Sequence, residues 1–222
     1  MNCPVDFISE DMDFANYPSI VAPMYQLVDD KLIEKLTLYV KNGGHLVLTA
    51  RSGEMDRNGH LWEMPYGKKI ESLTGDSLLF FDVLPEDKVG TISMNKKTYS
   101  WNNWADVLKP LAGTESMATF SDQFYKSKSA ATLAKIGKGT VSYIGVDTDN
   151  GAFEKECLFQ MFNKIGIKVN KIADGLMLDW RDGFWVAINY STNHQIIVEI
   201  PKNAKIIFGK RLLNPAEVIV WE

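Results

Sequence analysis

The chain has only two cysteines and three histidines in 222 residues, and that scarcity removes several classes of protein at once. Cys3 and Cys157 stand too far apart for a CxxC pair or a disulfide framework, so reduced thiols and a cytoplasmic setting are expected. His45, His60 and His194 form neither an HxH nor an HxxxH pair, and no metal site is expected. No GxGxxG or GxxxxGK[ST] run follows a strand-like segment, so a nucleotide cofactor is not expected either. A net charge of −4, with no Lys/Arg stripe interleaved with aromatics, lacks the footprint of nucleic-acid binding. No apolar run approaches the roughly 20 residues that span a bilayer. The N-terminus also has no basic start leading into an apolar stretch, so no membrane partner or targeting segment is expected.

What is present is an ordinary folded composition, 45% hydrophobic and 23% charged. "VDFI" (5–8) and "SIVA" (19–22) are short apolar runs bounded by turn residues and are expected to be buried strands. In "DDKLIEKLTLYVKNGG", Leu32, Ile33, Leu36, Tyr39 and Val40 recur at helical spacing. Asp29 and Asp30 sit at the N-terminal end, and Gly43 and Gly44 supply the stop. "HLVLTA" (45–50) is the next strand, so residues 19–50 form a strand, helix, strand unit, which implies a right-handed crossover and a parallel sheet. A helical turn is expected around "KKIESLTG" and a strand at "SLLFF" (77–81). Beyond it the composition is strand-like and the sheet should become mixed, with a hairpin turn at Gly137 to Gly139. A second amphipathic helix follows, with Phe153, Cys157, Leu158, Met161, Phe162 and Ile165 on one face and Gly166 at its end. From residue 171 onward only short strands separated by turns remain, among them Asp182-Gly183 between Trp180 and Trp185. Two domains are expected, residues 1–170 of α/β type and residues 171–222 a small antiparallel β unit.

The one segment that looks like a site is the polar loop after the 45–50 strand, which carries Arg51, Ser52, Glu54, Asp56, Arg57 and His60. Open α/β sheets place ligands beyond the carboxyl ends of their strands. Its chemistry is thin, however. A class I glutamine amidotransferase sets a Cys on a sharp Gly-flanked turn, and neither Cys fits that pattern. Ser52 in "ARSGE" is half of a GxSxG elbow, with Ala50 where the first Gly should be. No carboxylate pair can be nominated for glycoside hydrolysis. Trp62, Trp101, Trp104, Trp180 and Trp185 could offer faces to a sugar, against the plainer reading that they fill a core or pair across a hairpin. No catalytic residue is therefore assigned, and the loop is expected to serve as an interface. The alternatives are an amidotransferase-like hydrolase using Ser52 and a carbohydrate-binding module.

The pieces "PVDFI", "APMYQLVDD", "YVKNGGHLVLTARSG" and "GKGTVSYIGVD" together resemble the region after the catalytic barrel in glycoside hydrolase family 42 β-galactosidases. The resemblance covers nearly the whole chain. It implies a trimerisation domain with a flavodoxin-like, amidotransferase-like α/β fold: a mostly parallel sheet with flanking helices, followed by a small antiparallel β domain. It also implies self-association into trimers, an upstream catalytic barrel as a second partner, and a parent enzyme that hydrolyses terminal β-galactosides with retention. The loop from Arg51 to His60 would then face another subunit or that barrel. Two departures are visible. The family's catalytic Glu follows an Asn, and the chain contains no Asn-Glu dipeptide. The family domain also begins one strand and one helix earlier, so either that first strand and helix are lacking here or a rearranged strand fills the gap; an incomplete sheet would expose an unpaired strand edge.

Overall fold

A computed structural model describes residues 5–148, 151–167, 169 and 172–222. Cys3 lies outside the described residues. The chain divides into two compact units, one formed by Ser9–Met161 and the other by Phe162–Glu222 with the N-terminal segment ending at Ile8.

In the larger unit, β1 (Ser19–Ala22), α1 (Asp30–Lys41) and β2 (His45–Thr49) follow one another as the hydrophobic pattern requires. Asp29 caps α1 by accepting a hydrogen bond from the Leu32 amide at 2.7 Å. Leu32, Leu36, Tyr39 and Val40 are its buried face. The helix stops where the Gly44 amide reaches back to the Tyr39 carbonyl, with Gly43 at φ 118°. A side chain at Gly44 would run into the Tyr39 ring.

The next elements are a single helical turn, α2 (Glu71–Thr74), and strands β3 (Asp76–Asp82), β4 (Gly90–Met94), β5 (Lys97–Trp101), β6 (Trp104–Pro110), β7 (Thr114–Phe120), β8 (Ser129–Ile136), β9 (Gly139–Ile144) and β10 (Val146–Asp147). The last element is α3 (Ala152–Lys164). The main path of the sheet runs β1-β2-β9-β8-β7-β4-β5, and β6 joins it by pairing with β3, β8 and β10. Only β1-β2 and β2-β9 are parallel; every other strand pairing among the described residues is antiparallel.

This overturns the flavodoxin-like expectation. The unit is a curled, mixed, mostly β sheet and not a parallel sheet flanked by helices. The 19–49 crossover is real, but β3 to β9 pair with one another only antiparallel, with hairpins at β4-β5, β7-β8 and β8-β9, and such pairings need no crossover helix. The expected strand at 5–8 is also absent. Those residues have no regular structure, and Phe7 is fully exposed.

The sheet divides at Gly145. Its amide donates to the Ala130 carbonyl (2.8 Å) and its carbonyl accepts from the Asp106 amide (2.6 Å), so β6 takes over beside β8 where β9 ends. A Cβ there would lie 2.7 Å from the Asp106 carbonyl oxygen, which only glycine avoids. Over this sheet Ile92, Trp101, Val107, Phe120, Tyr125 and Ile144 form the core, and Phe153, Cys157 and Met161 of α3 join it. Cys157 is a free thiol that is fully buried against Met94, with the two sulfurs 3.9 Å apart. Among the described residues no helix is long and apolar enough to cross a membrane.

The smaller unit contains β11 (Leu176–Arg181), β12 (Phe184–Asn189), β13 (Gln195–Ile196), β14 (Ile206–Phe208), β15 (Leu212–Leu213) and β16 (Val218–Trp221). They form a four-stranded sheet, β11-β12-β16-β14, and the pair β13-β15, all antiparallel. Asp182 (φ 50°) and Gly183 (φ 93°) make the tight turn, and Trp180 pairs with Trp185 across it. Trp185 continues the row by stacking on Trp221 at 6.2 Å. Leu176, Leu178, Ala187, Ile219 and Trp221 are buried beneath the sheet. Asn189, also buried, donates to the carbonyls of Asn193 and Leu213 and accepts from Ser191, which pins the following loop.

One buried group carries a pH dependence. Asp76, at the start of β3, has no exposed surface, accepts a hydrogen bond from the Thr132 hydroxyl, and leaves its second oxygen without a hydrogen-bond partner. Burial raises its pKa from the ordinary 3.8 to about 6. A raised carboxyl favours the folded state most when protonated, so this contribution is complete below pH 3.8 and is lost as the pH rises through 6. Asp76→Asn should therefore match the parent chain near pH 4 and exceed its stability at pH 8 by about 1–3 kcal/mol. Urea unfolding at the two pH values measures the difference, and an equal gain at both would contradict it.

Candidate functional site

The loop after β2 is fixed from beneath by a single carboxylate. Arg51 takes a left-handed conformation (φ 67°), and its amide donates to Asp106 Oδ2 at 3.0 Å. Asp106 lies on β6 just past the point where the sheet divides, and it is fully buried. It also accepts from the Tyr143 hydroxyl (2.6 Å), the Tyr66 hydroxyl (2.6 Å) and Trp104 Nε1 (2.8 Å). Burial, reinforced by this carboxylate, pushes both tyrosine hydroxyls well above their ordinary pKa and keeps them as donors. Four donors on one buried carboxylate offset its desolvation, and each would itself be orphaned without it.

Above this anchor the Arg51 guanidinium lies 4.6 Å from the centre of the Trp104 ring, and Phe81 stacks on the same ring at 4.5 Å. At those distances the two groups must occupy opposite faces, so Trp104 is closed to a sugar ring. Tyr66 packs edge-on against Phe81 at 5.5 Å. Trp101, the other tryptophan of the pair, is wholly buried.

The remaining charged groups of the loop are paired with one another or with neighbouring segments. Arg51 Nε pairs with Glu54 at 3.1 Å, and Glu54, whose side chain is 8% exposed, also accepts from Gln26 at 3.0 Å. Arg57 makes a bidentate pair with Glu10 (2.9 and 2.7 Å) and a third bond to Asp29 at 2.9 Å. The Arg57 fork accordingly holds the Glu10 and Asp29 carboxyls below their ordinary pKa. Asp56 accepts from the amides of His60 (2.9 Å) and Asn58 (2.8 Å), and its pKa falls for that reason. His60 projects into solvent with Nδ1 3.6 Å from Asp56.

Ser52 is buried; its hydroxyl donates to the Thr49 carbonyl (2.7 Å) and accepts from the Tyr25 amide (3.2 Å). It thus closes a turn and has no histidine as base. His45, the nearest histidine to the strand, faces Thr140 at 3.0 Å, and burial lowers its pKa. Among the described residues no group of three His, Cys, Asp or Glu side chains could hold a metal ion.

What this braced loop holds up is apolar. Leu61 is 65% exposed and Met64 is 40% exposed. With Trp62, Pro65, Tyr66 and Lys69 they line an open depression of about 180 Å³. Lys69 sits over the Trp62 ring at 4.1 Å and pairs with Asp30 at 2.7 Å. Trp62 Nε1 is buried and has no hydrogen-bond partner. The sequence singled out the six loop residues, and they do lie together. It missed Asp106, Tyr66 and Tyr143, for which no local pattern gives a signal.

Residues 1–171 match the family model described as the β-galactosidase trimerisation domain. The β-galactosidase BgaB of Geobacillus sp. is 28% identical over 207 residues, which span 91% of this chain and 30% of that protein. The β-galactosidase LacA of Lactobacillus acidophilus is 33% identical over 165 residues, 74% of this chain and 24% of its own. Among solved structures, a β-galactosidase from the haloarchaeon Halorubrum lacusprofundi superposes with a TM-score of 0.85 at 22% identity, over 97% of this chain and 32% of that one. One from Bacillus circulans sp. alkalophilus gives 0.84 at 20% identity, over 97% and 34%. These structures share the fold, and the chain spans about a third of the length of the relatives it matches.

Removing the anchor should be costly. Asp106→Ala orphans the Tyr66, Tyr143 and Trp104 donors and should lower stability by at least about 3 kcal/mol in urea unfolding. Ser52→Ala should cost only about 1 kcal/mol, and a fluorophosphonate probe should leave Ser52 unlabelled in the folded chain. Selective labelling there would restore the hydrolase reading.

Proposed function

The chain belongs to the β-galactosidase trimerisation domain family, and on that premise we propose that it is the assembly and accessory portion of a β-galactosidase-like glycoside hydrolase, not its catalytic part. The observation that carries this reading is the state of the loop after β2. Arg51 and Glu54 pair with each other, Asp56 takes amides of its own loop, Arg57 is held by Glu10 and Asp29 of neighbouring segments, and Ser52 is tied into a turn. A catalytic loop would leave a nucleophile and a base facing a common space. A loop whose charges are already paired, with leucine, methionine and tryptophan following it, suits contact with another protein surface.

The partners would be further copies of the chain, three in a closed ring of heterologous contacts, and an upstream catalytic barrel. The loop from Arg51 to His60 is placed in this scheme as an interface or barrel-facing segment. Residues 1–170 would supply the association surface. The parent enzyme would hydrolyse terminal β-galactosides with retention of configuration. The unpaired, buried Cys157 supports a reducing, cytoplasmic setting.

Size-exclusion chromatography with light scattering, run over a range of concentrations, tests the proposal. The expected particle has three times the 25.0 kDa mass of the chain. A particle that remains at 25.0 kDa at every concentration would overturn it.

A further inference from the structure

The most exposed aromatic side chain of the larger unit is Phe124, in the loop between β7 and β8. It is 85% exposed, yet it is not loose. Its ring stacks on Phe80 at 5.5 Å and meets the Tyr125 ring edge-on at 4.9 Å. Tyr125 beside it is buried and donates its hydroxyl to Asp82. The loop closes on itself through the Ser127 amide to the Phe120 carbonyl (2.9 Å) and the Lys128 amide to the Tyr125 carbonyl (3.0 Å). Gln123 (φ 63°) and Ser127 (φ 71°) both hold left-handed conformations that disfavour side chains. A strained, anchored loop that presents one large apolar ring to water has the form of a pre-organised binding anchor.

The same unit carries a receptor of matching character, the depression beneath Leu61, Trp62 and Met64. Its volume of about 180 Å³ suits a single large side chain. Among the described residues the unpaired exposed charges at the two features are of opposite sign: Lys126 and Lys128 follow Phe124 in its loop, while Glu63 stands exposed between Trp62 and Met64, where Lys68 and Lys69 are already paired with Glu71 and Asp30.

Knob and depression belong to opposite faces of β3. Phe80 and Phe81 are consecutive on that strand and point to opposite sides. Phe124 stacks on Phe80, and Tyr66, which lines the depression, packs on Phe81. A two-fold contact needs both features on one self-complementary surface, whereas features on opposite faces join copies head to tail. We propose that Phe124 of one copy inserts into the Leu61, Trp62 and Met64 depression of the next, and that this contact, repeated, closes the ring. The inference rests on the assembly reading above and names its contact.

The test uses the full 222-residue chain with two exposed-site substitutions, Phe124→Ser to remove the knob and Leu61→Asp to spoil the depression. Neither residue supports the core, and circular dichroism should match the parent. Each variant alone should run as a monomer, its association weakened roughly 30-fold or more. An equimolar mixture should form a dimer and no trimer, because the Leu61→Asp copy retains its knob and the Phe124→Ser copy retains its depression, leaving one intact junction per pair. A parent chain that is monomeric throughout overturns the assembly reading and this contact with it. A parent trimer that survives either substitution overturns the contact alone, as does a mixture that stays monomeric.

Discussion

The buried carboxylate of Asp106 is the constraint on which the larger unit turns. It lies on β6, beside the glycine at which the sheet divides, and gathers donors from β2's exit, from β9, from β6 itself and from the segment before α2. A buried charge of this kind is costly unless nearly every lone pair is used. Here four donors converge on it, so the path of the loop after β2 is tied to β6, β9 and the segment before α2 by one satisfied group. The requirement that Gly145 remain without a side chain belongs to the same device, since the Asp106 backbone occupies the space a Cβ would need.

That anchoring explains why a loop so rich in charge offers so little chemistry. Arg57 is held by two carboxylates and Arg51 by an aromatic ring and a third carboxylate. Groups neutralised in pairs are poor acids, bases or nucleophile activators, because each protonation state is already committed to a partner. The charges act as struts.

The crossover of residues 19–49 was legible because its signals are local: a 3.6-residue period, an aspartate cap and a glycine pair at the stop. The hairpins at Gly137 to Gly139 and at Asp182-Gly183 were legible for the same reason, and so was the polar loop from Arg51 to His60. The error lay in the flavodoxin-like, mostly parallel sheet that the family resemblance implied. Strand pairing between β6 and β3, β8 or β10 depends on where the sheet divides, and a lone glycine in "YIGVD" does not announce that. Asp106 in "WADVL" looks like any surface acid until Tyr66, Tyr143 and Arg51 arrive from distant parts of the chain. Exposure is equally silent, for the pattern that buries Tyr125 gives no reason to leave Phe124 in water.

Cys157 has a practical consequence of its own. Its thiol is sealed in the core against Met94, and burial raises its pKa well above the ordinary thiol value. In the closed fold there is neither thiolate nor access for a reagent at that sulfur. Alkylation at this position can therefore proceed only through an opening of α3 from the sheet. Its rate is an internal clock for that motion, written into the sequence and readable by mass spectrometry as the mass of the attached alkyl group.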